Sequence, residues 1–200
     1  MRILAAADIH GDVQMAKRLA DEAERENVDL VVLAGDLFRS DFDTENIVGP
    51  FRAKNKKIIL LPGNHEAIST TNFVAQKYDA VNLHGYSVKD GNVGLFGCSA
   101  DNLGVDRLSD TEVERMLKQA FNYVRDSEKK VMVTHVHPAH TKMAELGLFV
   151  SGSRAVENMI KELKPDIFIC GHAHEASGIE EKIGNTRVIN VSRIGKIIDL

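Results

Sequence analysis

Five apolar runs, at residues 3–7, 30–34, 58–61, 131–134 and 167–170, are too short for helices, and each leads straight into side chains that can bind a metal ion. Continuous runs of this length suit parallel strands covered on both faces. After them come "DIHGD" with Asp8 and His10, "GDLF" with Asp36, "PGNHE" with Asn64 and His65, "HVHP" with His135, and "GHAH" with His172 and His174. In an open α/β sheet the carboxyl ends of parallel strands share one edge, so loops spread from residue 8 to residue 174 can converge there.

Helical patterns separate several of these runs. Val113, Met116, Leu117, Ala120, Phe121 and Val124 recur at helical spacing over residues 110–126, and Ser109 and Glu112 are spaced as a capping box. Val156, Met159, Ile160 and Leu163 repeat the pattern before Pro165 stops it, and residues 13–23 show a weaker version. The stretches 81–97 and 178–191, with central Asp90-Gly91 and Gly184-Asn185 pairs, read as β-hairpins. The expected class is α/β with mixed sheets.

No linker, low-complexity tract or fixed-period repeat interrupts the 200 residues, and 44% hydrophobic content can fill one core, so a single domain over residues 1–200 is expected. A net charge of −4 offers no global attraction for nucleic acid or an anionic membrane, so phosphate binding has to come from a local site. Asp8 arrives too early for a secretory apolar segment, and no apolar run approaches the roughly 20 residues that span a bilayer. The expectation is a soluble, cytoplasmic protein without a membrane partner, its oligomeric state undetermined. Cys98 and Cys170 each end an apolar run and read as buried, reduced thiols.

Side chains two apart in an extended segment point the same way, so Asp8 with His10, and His172 with His174, can face one cavity. Asp36 adds a carboxylate able to bridge two ions, Asn64 an amide oxygen and His135 an imidazole. Oxygen and nitrogen donors without thiolate favour two divalent transition-metal ions, manganese first, with iron, zinc, nickel and cobalt as alternatives. Two such ions with two carboxylates and one hydroxide carry a net charge of about +1, which draws an anionic phosphoryl group. A water shared between ions roughly 3.5–4 Å apart can serve as nucleophile, and no protein nucleophile is needed.

Read singly, Asp-x-His or Gly-Asp is a turn and "GNHE" a glycine turn before a helix; their ordered recurrence after strands is what points to a site. Together "DIH", "GD", "GNHE", the His after a strand and "GHAH" resemble the calcineurin-like metallophosphoesterase superfamily, over residues 8–174. The resemblance implies a sandwich of two mixed β-sheets flanked by helices. It implies Asp8, His10 and His174 on one metal, Asn64, His135 and His172 on the other, and Asp36 bridging. His65 resembles the family's non-ligand histidine, which approaches the leaving-group oxygen as general acid, and with Asn64 it would contact substrate.

The chain departs from the protein serine/threonine phosphatase branch, which resembles "GDYVDRG" where this chain has "GDLFRSD", with Arg39 and Ser40 in place of Asp and Arg. With no appended cap, a small phosphodiester is the preferred substrate; a phosphomonoesterase and a non-catalytic metal-binding scaffold of the same fold are the alternatives. Nucleotide-binding and serine-hydrolase classes are disfavoured, because G-x-G-x-x-G, G-x-x-x-x-G-K and G-x-S-x-G do not occur. Glu66 reads as the start of the following helix rather than a ligand. His84 and His140 read as solvated, Arg39 as exposed, and His137 as either solvent-facing or near the substrate.

Overall fold

A computed structural model describes residues 1–41, 43–101, 103–104, 106–147 and 149–200. The first half of the chain forms β1 (Arg2–Ala6), α1 (Val13–Arg25), β2 (Leu30–Ala34), α2 (Gly49–Ala53), β3 (Lys57–Leu61), α3 (Ile68–Lys77), β4 (Val81–Asn82), β5 (Ser87–Asp90) and β6 (Val93–Cys98). The second half forms α4 (Asp110–Val124), β7 (Lys129–Thr134), α5 (Lys142–Leu146), α6 (Arg154–Leu163), β8 (Ile167–Cys170), β9 (Glu180–Ile183), β10 (Thr186–Asn190) and β11 (Gly195–Asp199). One sheet has the order β11-β1-β2-β3-β4 and the other β5-β6-β7-β8-β10-β9. A parallel centre carries antiparallel strands at both margins of the second sheet, β5 on β6 and β9 on β10, and at one margin of the first, β11 on β1, whose other edge strand β4 is parallel to β3.

The expected two-sheet α/β sandwich is therefore the observed fold. Its layers explain the unbroken apolar runs. Alternate residues such as Ala5, Val32, Ile59, Val131 and Ile169 pack between the sheets. Their neighbours in the first sheet, Leu4, Leu33 and Leu60, pack under Leu19, Phe51 and Val74. In the second sheet, Met132 and Phe168 pack under Leu117, Val156 and Ile160. Both faces of the central strands are buried, so neither set of alternate positions is polar. Each large aliphatic side chain so buried contributes about 1.5–3 kcal/mol relative to exposure.

Local signals are obeyed closely. Ser109 and Glu112 form both halves of the capping box of α4. Asp12, the second acid of "DIHGD", caps α1 by accepting from the Met15 N–H at 2.9 Å. The β5–β6 and β9–β10 hairpins form, but residues 81–97 do not make a single hairpin: Val81–Asn82 pairs with β3 and the chain then crosses to the other sheet. Pairing with Val81–Asn82 satisfies backbone groups along the otherwise open edge of β3, so tertiary pairing overrides the local pattern. Both cysteines are free and buried, and burial pushes the Cys98 thiol up to about 12 and Cys170 well above its usual value. Among the described residues no helix is long and apolar enough to cross a membrane.

Candidate metal centre

The converging loops come from two sheet edges rather than the single edge expected. β1, β2 and β3 supply Asp8, His10, Asp36, Asn64 and His65, while β7 and β8 of the opposite sheet supply His135, His172 and His174. Backbone bonds tie the loops together. Asp8 N–H donates to Gly35 O and His10 N–H to Asp36 O, each at 2.9 Å; within the other sheet Gly171 N–H donates to His135 O at 2.9 Å, and between the sheets Ala7 N–H donates to Val191 O at 3.2 Å.

The orientation of Asp8 and His10 differs from the extended geometry read from the sequence. Asp8 (φ +57°), His10 (φ +49°), Asp36 (φ +51°) and His172 (φ +73°) all lie in the left-handed region. That region costs a non-glycine residue roughly 1 kcal/mol, with Asn, Asp and His the most tolerant types. These kinks turn the chain abruptly at the strand ends, so the site is built from strained turns rather than from the pleat of a strand. Close packing adds a further demand: a Cβ on Gly63 would collide with the Asp36 carboxylate, and one on Gly171 would lie 2.5 Å from Asp8 Oδ2.

The two aspartates share one design, in which one oxygen is held by the protein and the other faces a common space. Asp8 Oδ2 accepts from Ser192 Oγ at 2.7 Å and from the His172 N–H at 3.0 Å, while Oδ1 lies 3.0 Å from His174 Nε2. Asp36 Oδ1 accepts from the His65 N–H at 3.0 Å, while Oδ2 lies 3.4 Å from His135 Nε2 and 3.8 Å from both His10 Nε2 and His65 Nε2. Asn64 Oδ1 sits 3.1 Å from His135 Nε2 and 2.9 Å from His172 Nδ1. His135 Nδ1–H donates to the Ala34 carbonyl at 2.9 Å, which leaves its Nε2 facing inward, open to a proton or to a cation. All eight side chains singled out in the sequence thus surround one space, Asp36 standing between the Asp8–His10–His174 and Asn64–His135–His172 groups.

Three overlapping sets of donors meet the geometric demand of a metal ligand set: Asp8 with His10 and His174, His10 with Asp36 and His65, and Asp8 with Asp36 and His135. His10 Nε2 and His174 Nε2 face each other at 3.3 Å, about the spacing of donors that bind one ion through bonds of about 2.1 Å. Asp8 is fully buried and Asp36 is 2% exposed, so two carboxylates sit out of water and require cationic compensation. Donor chemistry and burial fit divalent cations, and the overlapping donor sets span more than one position for them.

The protonation pattern follows the same charges. Burial opposes ionisation of Asp36, but the His135 charge and the His65 N–H outweigh it and hold the carboxyl well below its usual range. Asp8 is lowered against its own burial chiefly by the bond to His174. His135, although burial disfavours its charge, is pushed up to about 10 by Asp36 and then Asp8. Burial and then His135 push His172 down to about 3 and His137 down to about 4. A proton on His135 does for the metal-free protein what a cation does for the loaded one; both balance the buried acids.

Several neighbours were misread or missed in the sequence. Glu66 does not start α3, which begins at Ile68; it is 2% exposed, accepts from the Leu37 N–H at 3.1 Å, and is pushed up to about 8 by burial and then by Asp36. His137 is fully buried against His172, with ring centroids 5.7 Å apart, rather than turned to solvent by Pro138. His84, expected in water, is buried and its Nδ1 accepts from the Ser99 N–H at 3.2 Å. His140 is exposed yet meets Glu157 at 2.8 Å, and Arg39 is exposed as read. Ser192 and Arg193, whose Nη1 donates to the Asp8 carbonyl at 3.1 Å, carry no local motif that could have marked them.

The side chains open onto a cavity of about 180 Å³ that also reaches Phe149, Val150 and Glu175. A larger groove of about 570 Å³ lies elsewhere, beside Tyr86 and Tyr123, and its described lining includes no acid or imidazole.

A comparison with curated proteins finds no match, whereas solved structures share the fold. TT1561 of Thermus thermophilus is 20% identical with a TM-score of 0.75, over 94% of this chain and 88% of that one. A dimetal phosphatase from Danio rerio is 12% identical with a TM-score of 0.63, over 95% and 86% of the two chains. A structure described as a novel archaeal phosphodiesterase is 18% identical with a TM-score of 0.55, over 95% and 82%. The profile of the calcineurin-like phosphoesterases matches residues 1–176, which is most of the chain. With the metal-ligand geometry at the rims of a two-sheet sandwich, that match makes the chain a member of the calcineurin-like phosphoesterase family.

Proposed function

We propose that this protein is a dinuclear-metal phosphodiesterase acting on small phosphate esters. The observation that carries the reading is the pair of buried aspartates, each with one oxygen fixed by the protein and one turned to a space ringed by imidazoles. Asp8, His10 and His174 would hold one ion, Asn64, His135 and His172 the other, and Asp36 would bridge them, with manganese the first candidate. Two divalent ions bound there supply Lewis acidity toward a phosphoryl group and lower the pKa of a water molecule toward about 7.

The chain's own residues do the rest. Asn64 and His65 line the open cavity and are placed to contact the ester. The His65 side chain is 57% exposed, and its backbone N–H, rather than its ring, is what Asp36 Oδ1 holds at 3.0 Å. Its ring, exposed on the open side of the site with Nε2 3.8 Å from Asp36 Oδ2, is placed to approach a leaving oxygen and donate the proton that a poor leaving group needs, a role worth about 10²–10⁴ in rate. Glu175 at the cavity rim places a carboxylate beside the substrate, which disfavours a dianionic monoester more than a monoanionic diester.

The test is a metal-loaded screen of aryl phosphodiesters, phosphomonoesters and cyclic nucleotides, with bound metal counted by elemental analysis. Two ions per chain with faster diester than monoester hydrolysis is the expected result. Faster monoester hydrolysis replaces the diester reading, and a fully loaded protein that turns over nothing leaves a metal-binding scaffold.

A further inference from the structure

Phe149 is the most exposed large apolar side chain among the described residues, at 85% of its surface, and it stands on the wall of the metal-centre cavity. Scattered exposed apolar residues are ordinary on a protein surface. Phe149 is set apart by its place: Asp36, His65 and His172 of the metal centre line the same cavity, together with Val150 and Glu175. The segment that carries it is tied to the metal loops at both ends. Gly147 N–H donates to Met143 O at 2.9 Å to close α5, and Gly147 lies against the Ala173 side chain, between His172 and His174. At the other end Ser153 N–H donates to His137 O at 2.8 Å, and Ala139 N–H to Ser153 O at 3.0 Å.

We propose that Phe149 is a specificity-determining residue: it receives a planar, uncharged ring carried by the phosphodiester and so makes aryl-type or nucleobase-bearing esters the preferred substrate class. The inference rests on the phosphoesterase reading of the site. His65, the group placed to protonate the leaving oxygen, lines the same cavity as Phe149, so an ester seated on the metal centre meets both side chains. A ring laid on Phe149 regains apolar contact that water denies it, and an aromatic pair adds an offset-stacked or edge-to-face preference. Glu175 on the same rim repels a second anionic group and accepts from a ring N–H. A cavity of about 180 Å³ has room for a phosphoryl group and part of one ring, with the exposed Phe149 face extending the platform outward.

The experiment uses the metal-loaded full chain and two non-hydrolysable probes, phenylphosphonate and methylphosphonate, with binding read by calorimetry. Hydrolysis of bis(4-nitrophenyl) phosphate is followed in parallel. The wild type should bind phenylphosphonate about three- to tenfold more tightly than methylphosphonate, the range an aromatic contact supplies. Phe149→Ala should abolish that difference while leaving methylphosphonate affinity unchanged, and should raise KM for the diaryl ester with kcat changed less than about twofold. Phe149→Tyr should restore the discrimination, which a merely structural role would not require. Equal binding of the two phosphonates by the wild type, or discrimination that survives in Phe149→Ala, overturns the inference and leaves the phosphoesterase reading intact. A loaded wild type that binds neither phosphonate and hydrolyses no ester overturns both.

Discussion

The two ends of the same strands are built on opposite electrostatic terms. At the amino end, Arg2 meets Asp199 at 2.8 Å, Lys57 meets Asp90 at 2.6 Å and Lys129 meets Asp166 at 3.2 Å, all with side chains substantially in water. At the carboxyl end, Asp8, Asp36, Glu66 and His135 are at most 2% exposed, and Asp8, His10, Asp36, His172 and Arg193 sit in left-handed turns. Exposed ion pairs contribute about 0–1 kcal/mol each, whereas removing one partner from a buried charge cluster leaves an uncompensated charge. One end therefore tolerates substitution and the other concentrates strain and charge where chemistry can use them.

Substitutions at each end sharpen this contrast. Asp36→Asn should have the largest effect, a loss of more than about 10³-fold in kcat together with loss of bound metal, because it removes the shared member of a set that acts as a unit. Normal turnover with two ions per chain would falsify the bridging assignment. His65→Ala should keep both ions and slow esters with poor leaving groups by about 10²–10⁴, with little effect on activated aryl esters. Equal slowing of both kinds of ester would assign His65 to binding instead.

A supporting residue at the same end should have a graded effect. Ser192→Ala removes the hydroxyl that holds Asp8 Oδ2, and metal affinity should weaken by about 10–100-fold while activity returns at saturating metal. An unchanged metal titration would show that the His172 N–H alone suffices to orient Asp8.

The smallest effect belongs to the amino end. Burial opposes ionisation of Asp166, but the Lys130 N–H at 2.8 Å and the Lys129 ammonium outweigh it, so its pKa is lowered from 3.8. A carboxylate whose folded-state pKa is depressed stabilises the fold above the unfolded value and loses that contribution as pH falls through the folded value. Asp166→Asn should therefore cost no more than about 1 kcal/mol near pH 7, after allowance for solvent screening, and progressively less below pH 3.8. Chemical denaturation of both proteins across that range measures the difference; a gap that widens toward low pH would reverse the assigned sign.

Much of this architecture was legible because burial on both faces leaves a plain signature. The runs at residues 30–34 and 167–170 coincide with β2 and β8, and the Ser109–Glu112 box marks the start of α4. Local patterns failed where distant partners decide the environment. His84 lies in a turn-like "LHGY" stretch, yet the Ser99 N–H claims its ring. Glu66 follows a histidine in a helix-entry pattern, yet the Leu37 N–H holds it in the interior beside Asp36.

The chain's order of residues determined the strands, the main helices and the donors each strand end delivers, because these depend on side-chain polarity and on contacts a few residues apart. Only the tertiary structure decided that two sheets, rather than one, present those donors to a common space. It also decided which oxygen of each aspartate faces inward, and that Ser192, Arg193 and Phe149 attend the site. Left-handed turns at Asp8, His10, Asp36 and His172 and bonds between residues as far apart as Asp8 and Ser192 set those directions. Such constraints arise from packing across the sandwich and have no counterpart in local sequence.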